Sequence, residues 1–261
     1  MSKPALNNVS EKEAIEVNFW RDNPIERPES AALENILSKC AEARIFLEKL
    51  SAFQSLFASA RDVLELGGGQ CWASCIVKRQ FPSARVVGTD ISPFAVASVN
   101  KWQHMFGVKI DQVAACRSYA TQFENSSFDL IFAYAAAHHF VKQRRSLVEI
   151  SRLLRPGGAA LYLHEPACRQ YVHRLAVARI KLKRPEVPED VLVYPHLRTL
   201  AAEAGLNVKT HFAPTLTNRG PVETIYYYIL RKAAFLQDLL PCTVDIVFRK
   251  PDNTVAVEAP I

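Results

Sequence analysis

The stretch Arg61–Ser74, RDVLELGGGQCWAS, decides the fold. Val63, Leu64 and Leu66 read as a short buried strand that runs into three consecutive glycines, Gly67, Gly68 and Gly69. Glycine lacks a Cβ, so such a bend lets a ligand lie against bare backbone and reaches positive φ at little cost. Downstream, Asp90 stands at the end of a second apolar strand, Arg85–Thr89. A glycine turn after one strand and an acid ending the next is how α/β folds hold a ribose-bearing ligand. A nicotinamide fingerprint, G-x-G-x-x-G counted from Gly67, puts its third glycine at Trp72. The largest side chain cannot replace the smallest at a close helix–strand contact, so a dinucleotide reductase is disfavoured.

Working outward, strands and helices alternate, the pattern of a parallel sheet. Strands are expected at Asp62–Leu66, Arg85–Thr89, Lys109–Ala114, Phe128–Ala133, Ala159–His164, Val208–Phe212 and Thr243–Arg249. Helices are expected at Cys71–Gln80, Pro93–Phe106, Arg144–Leu154 and Val191–Ala204, the third stopped at Arg155-Pro156-Gly157-Gly158. Upstream, residues 1–28 read as a mobile polar arm carrying Phe19-Trp20, and Ser30–Phe57 as one long helix with Ser30 as its cap. The chain thus divides into an N-terminal arm and helix, 1–58, and a domain over 59–261 with helical inserts near 167–190 and 222–241.

Composition bounds the rest. With 261 residues, 49% of them hydrophobic, the chain is long enough for a full core and too apolar to be disordered. A formal charge of +6 suits a solvated basic surface and only weakly favours an anionic partner. The six cysteines form no CxxC pair or zinc spacing, so free thiols in a reducing cytoplasm and no structural metal are expected. No export signal is legible in the first residues and no run of apolar residues is long enough to span a bilayer. Arg169–Arg184 is basic with helical spacing, reading as a solvated face or as a contact for an anionic ligand. In 223–240, Ile225, Tyr228, Ile229, Leu236 and Leu240 share one helical face, which suits a lid over an apolar ligand, packing on its own domain, a homodimer contact or a membrane-surface helix.

Four ordered segments resemble the class I S-adenosylmethionine-dependent methyltransferases: VLELGGGQCWAS, VVGTDIS (86–92), SSFDLIFAYAAAHHF (126–140) and LLRPGGAALYLHEP (153–166). The resemblance implies a Rossmann-like sheet of seven strands, mostly parallel, with helices on both faces, an antiparallel last strand and a helical cover. It implies S-adenosyl-L-methionine as cofactor and methyl transfer to a small-molecule acceptor, anionic or partly apolar. Its alternative is a non-catalytic protein that binds the same cofactor as a sensor or partner subunit. By position, Asp90 takes the ribose hydroxyls, Gly67, Gly68 and Gly69 pass beneath the methionine portion, and Ile91 packs on adenine or in the core. Glu65 either orients the loop and, through water, the cofactor ammonium, or caps the turn; Tyr134 faces the sulfonium; Trp20 either covers the cofactor or anchors the arm. The family often has Gly-Asp-Ala after the third strand, whereas this chain has Cys116-Arg117-Ser118. Arginine cannot accept from an adenine amino group, so Ser118 or backbone carbonyls substitute, or Arg117 points away. His138, His139 and His164 are the candidate general bases, with Glu165 a rival, because imidazole accepts a proton near neutral pH. The N/D-P-P-Y type of motif is missing from A-Y-A-A-A-H-H (133–139), which disfavours a nucleic-acid substrate.

Overall fold

The computed structural model describes residues 10–30, 32–183 and 190–252. The sheet holds β1 (Asp62–Leu66), β2 (Arg85–Asp90), β3 (Gln112–Ala115), β4 (Phe128–Tyr134), β5 (Leu154–Cys168), β6 (Leu192–Val193), β7 (Asn207–Phe212) and β8 (Cys242–Arg249). Its order is β3-β2-β1-β4-β5-β8-β7, with the two-residue β6 paired to the end of β5 as an eighth strand. Strands β1 to β5 pair in parallel, and β8 runs antiparallel to both β5 and β7. The chain leaves β1 toward β2 on one side and later returns to place β4 on the other. That reversal opens a crevice at the carboxyl ends of β1 and β4, where open α/β sheets bind ligands.

Eleven α-helices are described: α1 (Glu11–Asp22), α2 (Leu33–Ala52), α3 (Gln54–Ser59), α4 (Trp72–Gln80), α5 (Pro93–Ala97), α6 (Val99–Phe106), α7 (Gln143–Leu153), α8 (His173–Lys183), α9 (Tyr194–Glu203), α10 (Pro221–Lys232) and α11 (Phe235–Leu239). One face of the sheet is covered by α7 and α9, through Leu147, Ile150, Leu197 and Leu200. The other is covered by α2, α3, α4 and α6, through Phe46, Phe57, Ile76 and Trp102. Among the described residues no helix is long and apolar enough to cross a membrane.

Several expectations shift. The arm expected to be mobile over 1–28 contains α1, whose start is fixed by a reciprocal pair: Ser10 Oγ accepts from Glu13 N and Glu13 Oε2 accepts from Ser10 N. Residues 1–9 of that arm lie outside the described residues. The long N-terminal helix breaks at Phe53 into α2 and α3, and Ala32 rather than Ser30 precedes its first turn. Pro93–Phe106 divides at Ser98, and the Arg155–Gly158 reversal is instead the beginning of β5, with a register shift opposite Phe128 and Leu130. Of the basic stretch Arg169–Arg184, α8 covers the helical part, while Arg184 lies outside the described residues.

Candidate active site

The bend after β1 is built on two left-handed glycines, Gly67 at φ +70° and Gly69 at φ +53°. A Cβ at Gly67 would lie 3.0 Å from Ala136 Cβ and 3.1 Å from the Phe140 ring, so a side chain here would be strained by its positive φ and crowded by the turn after β4. Asp90, at the end of β2, accepts from Gly69 N at 2.8 Å through Oδ2 and from Ser92 N at 2.8 Å through Oδ1. Each carboxylate oxygen keeps a further lone-pair direction for a hydroxyl donor. Burial pushes the Asp90 carboxyl up to about 6. Gly67, Gly69, Asp90, Ile91, Arg117, Ser118 and Trp20 line one cavity of about 360 Å³.

Glu65 lies behind the bend and lines neither cavity, in the position of the capping role rather than of a direct wall of the site. It is 2% exposed, and its carboxylate accepts from Ser74 N at 3.1 Å and from the Ser74 hydroxyl. It therefore caps the first turn of α4. Burial raises it to about 7. A Cβ at Gly68 would meet its Cδ at 2.7 Å, so the middle glycine makes room for Glu65 while its own backbone lines the second cavity.

Arg117 does not point away. It lines the first cavity with Nε 3.7 Å from Glu13 Oε2, and its buried Nε and Nη2 have no hydrogen-bond partner. Trp20 Nε1 is likewise buried without a partner, and its ring lies about 3 Å from where a Gly69 Cβ would stand. The cavity thus offers buried donors from Arg117 and Trp20 beside acceptors from the Asp90 carboxylate and from Gln143 Oε1, which is also buried without a partner, a mixed lining able to meet both polar ends of a ligand. Ser118 Oγ shares a 2.8 Å hydrogen bond with Ser146 Oγ.

A second cavity of about 720 Å³ adjoins the first, and Gly67, Gly69, Trp20, Ala135, His138 and His139 line both. The turn after β4 is held by Glu165, which is fully buried and accepts from Ala136 N at 2.9 Å, Ala137 N at 2.8 Å and His138 N at 3.1 Å. The same carboxylate stands 2.7 Å from His138 Nδ1. Facing that acceptor, Nδ1 carries the proton and the lone pair of the neutral ring is on Nε2. His139 packs on His138 with ring centroids 4.1 Å apart and has Nδ1 3.9 Å from Glu16 Oε2. His164 lies in the second cavity, stacked on Tyr134 at 5.8 Å, with a buried Nδ1 that has no partner. Burial, then the charges of Lys49 and Arg219, lower its pKa to about 3, so it is neutral throughout the physiological range. Tyr134 lines the second cavity, not the first, and donates to Glu42 Oε2 at 2.9 Å.

The sequence reading missed the far wall of that second cavity. Arg219 donates to Thr215 O through Nε at 2.6 Å and to Thr243 Oγ1 through Nη2 at 3.2 Å, and lies 3.3 Å above the Tyr227 ring. Among the described residues no carboxylate pairs with it. Nothing in its sequence neighbourhood marks it, because its partners come from a loop and from β8. Tyr226 and Tyr227, in contrast, are an edge-to-face aromatic pair on α10 that lines the cavity, and their adjacency is visible in the sequence.

Comparison with known proteins places the central part of the chain beside methyltransferases. Residues 64–162 match the family model described as a methyltransferase domain. The chain is 33% identical over 102 residues to a malonyl-[acyl-carrier protein] O-methyltransferase of Hahella chejuensis, covering 38% of this chain and 34% of that one. It is 26% identical over 112 residues to a demethylmenaquinone methyltransferase of Thermus thermophilus, covering 43% of this chain and 50% of that one. The chain thus matches about a third to a half of the length of these curated relatives. Among solved structures, geranyl diphosphate C-methyltransferase of Streptomyces coelicolor, in complex with Mg2+, geranyl diphosphate and S-adenosyl-L-homocysteine, shares the fold at a TM-score of 0.69. The two are 12% identical, over 93% of this chain and 98% of that one.

Proposed function

We propose that this chain, whose residues 64–162 form a methyltransferase domain of the class I S-adenosylmethionine-dependent kind, transfers the methyl group of S-adenosylmethionine to a small-molecule acceptor. The observation that carries this reading is the crevice between the β1 and β4 turns, where bare glycine backbone, the Asp90 carboxylate and partnerless donors face one cavity that opens into another. Gly67 and Gly69 would hold the amino-acid end of the cofactor, Asp90 its ribose, Ile91 and Ser118 its adenine, and Trp20 would cover it. When bound, the cofactor supplies an already activated methyl carbon.

The residues then have three tasks. They align the acceptor in line, exclude water and, for a hydroxyl or ammonium acceptor, remove a proton. Positioning of this kind is worth roughly 7–11 kcal/mol in effective-molarity terms. His138 is the base best placed, since it lines both cavities and Glu165 fixes its tautomer. His139 shares that boundary and completes the wall beside it. His164 stays neutral and lines only the acceptor side, where its bare Nδ1 can orient a substrate group.

The second cavity supports an acceptor that is anionic and partly apolar. Arg219 is rigidly held with no carboxylate of its own, and Trp72, Tyr226 and Tyr227 give the wall an aromatic character. All six cysteines are free thiols, which suits a reducing compartment, and we place the protein in the cytoplasm.

Calorimetry with S-adenosylhomocysteine, beside NADH as control, tests the cofactor assignment. The nucleoside should bind and NADH should not, and Asp90→Ala should weaken binding at least about tenfold while leaving the fold intact, as a lost charge-assisted contact would. Unchanged affinity refutes the ribose assignment. Transfer of tritiated methyl into a metabolite extract then separates an enzyme from a binder.

A further inference from the structure

Two helices that wall the second cavity turn an uncovered apolar face to the outside. On α10, Val222, Ile225 and Ile229 recur at i, i+3 and i+7 and are 77%, 64% and 49% exposed. On α8, Leu175 and Leu182 lie seven residues apart and are 75% and 87% exposed. Other side chains of the same helices line the cavity: Ala176, Arg179 and Ile180 of α8, and Tyr226 and Tyr227 of α10. The helices are neighbours, since Arg179 Nη2 is 3.3 Å from Glu223 Oε1 and its Cζ lies 5.5 Å from the Tyr226 ring. The stripe on α10 is continuous and this exposed, which marks a contact surface rather than ordinary surface scatter, and the α8 leucines stand exposed on the neighbouring helix.

The charge on these helices is mostly basic. Arg174 and Lys181 of α8 and Arg231 and Lys232 of α10 are exposed, and among the described residues none makes an ion pair. The only acid on either helix, Glu223, is engaged by Arg179. An apolar stripe flanked by unpaired cations is the pattern of a helix lying in a membrane interface. A second copy of the same face would instead bring like charges together.

We propose that the outer faces of α8 and α10 dock on an anionic lipid bilayer, with Val222, Ile225, Ile229, Leu175 and Leu182 entering the headgroup boundary and the flanking cations meeting lipid phosphates. If the methyl-transfer reading above holds, the acceptor cavity then lies against the bilayer and takes an amphiphile from it.

Co-sedimentation with sucrose-loaded vesicles tests the docking. The full chain should sediment with phosphatidylcholine vesicles containing one-third phosphatidylglycerol, weakly with pure phosphatidylcholine, and less as salt rises. Ile225→Glu/Ile229→Glu should abolish sedimentation, and Arg231→Gln/Lys232→Gln should weaken it by about fivefold per cation removed. Affinity for S-adenosylhomocysteine, measured without vesicles, should be the same in all three proteins, which keeps a failure of docking distinct from a failure of the cofactor reading. No sedimentation with the anionic vesicles, or equal sedimentation with both kinds, overturns the proposal. So does a wild-type dimer in sedimentation velocity that Ile225→Glu/Ile229→Glu dissociates, since that assigns the face to a second copy.

Discussion

At position 71 the chain places a side chain where the backbone favours none. Cys71 has φ +57° and is fully buried, with its thiol over β2. A Cβ at Gly88 would lie 2.8 Å from Cys71 Sγ, so Gly88 is the counterpart that makes room for it. The left-handed conformation costs an L-residue about 1–2 kcal/mol, which the buried thiol offsets. Cys71→Ala keeps the strain and deletes the thiol; Cys71→Gly removes both. The glycine variant should therefore be the more stable of the two by about 1 kcal/mol in urea unfolding, the reverse of the ordinary order. An alanine variant that unfolds later would show that the conformation costs nothing here. Asp90 makes a second residue-level prediction. Burial raises its carboxyl from an ordinary 3.8 to about 6, so the ligand-free fold prefers it protonated. That preference stabilises the fold fully below pH 3.8 and is lost as pH rises through about 6. Hydroxyls donated to the carboxylate favour its charged form, so binding expels a proton below pH 6. Affinity for S-adenosylhomocysteine should rise by up to about tenfold per pH unit toward 6 and then level off. Asp90→Asn should flatten this part of the profile, and an Asp90→Asn protein with the wild-type slope would assign the proton elsewhere.

Among the elements, α1 shows what sequence reading can miss and why. Its S-x-x-E start at Ser10–Glu13 is a local signal, present in the sequence and passed over beside the polar composition of the arm. Its docking is not local: Glu13, 3% exposed, accepts from Tyr119 Oη at 2.7 Å, a partner more than a hundred residues away. Tyr119→Phe removes that donor from a buried carboxylate. A hydrogen bond to a charged group is worth about 1.5–3 kcal/mol, so α1 should dock less well over the first cavity. Affinity for S-adenosylhomocysteine should fall about tenfold and the unfolding midpoint should drop with the lost bond, and equal affinity would mean that α1 does not close the site. The same division between local and distant runs through the other elements. β1, β2 and β4 were legible to within a residue because an apolar run ends in a glycine bend or an acid. Residues Asp90, Gly67 and Gly69 were legible for the same reason. Glu65 was harder to place, because its capping partner Ser74 is revealed only when the turn folds back. Arg219 was hidden, since its position depends on a loop meeting β8 and on the Tyr227 ring. The breaks at Phe53 and Ser98 were hidden too, because helical periodicity continues across both.

For the molecule as a whole, a buried ion pair joins α2 to the last strand of the sheet. Lys49 of α2 and Asp245 of β8 are 7% and 5% exposed and stand 2.7 Å apart. Asp245 also accepts from His164 N at 2.9 Å, so the pair sets the backbone from which His164 projects into the second cavity. Around it, Phe46 of α2 packs on Trp72, Phe132 and Tyr134, so the N-terminal helices share the core of the sheet. Lys49→Met removes the cation and leaves a buried carboxylate unpaired, a loss of about 3–5 kcal/mol. Adding Asp245→Asn should recover most of that, because the amide oxygen still accepts from His164 N while the uncompensated charge is gone. Urea unfolding followed by far-ultraviolet circular dichroism and by tryptophan fluorescence measures both. If residues 1–58 are integral to the sheet's core, the two probes should coincide in wild type and in both variants, with only the midpoint moving. A separate early transition in Lys49→Met would show instead that residues 1–58 unfold as a unit of their own. A double variant no more stable than Lys49→Met would show that the lost stability came from lysine packing and not from the stranded charge.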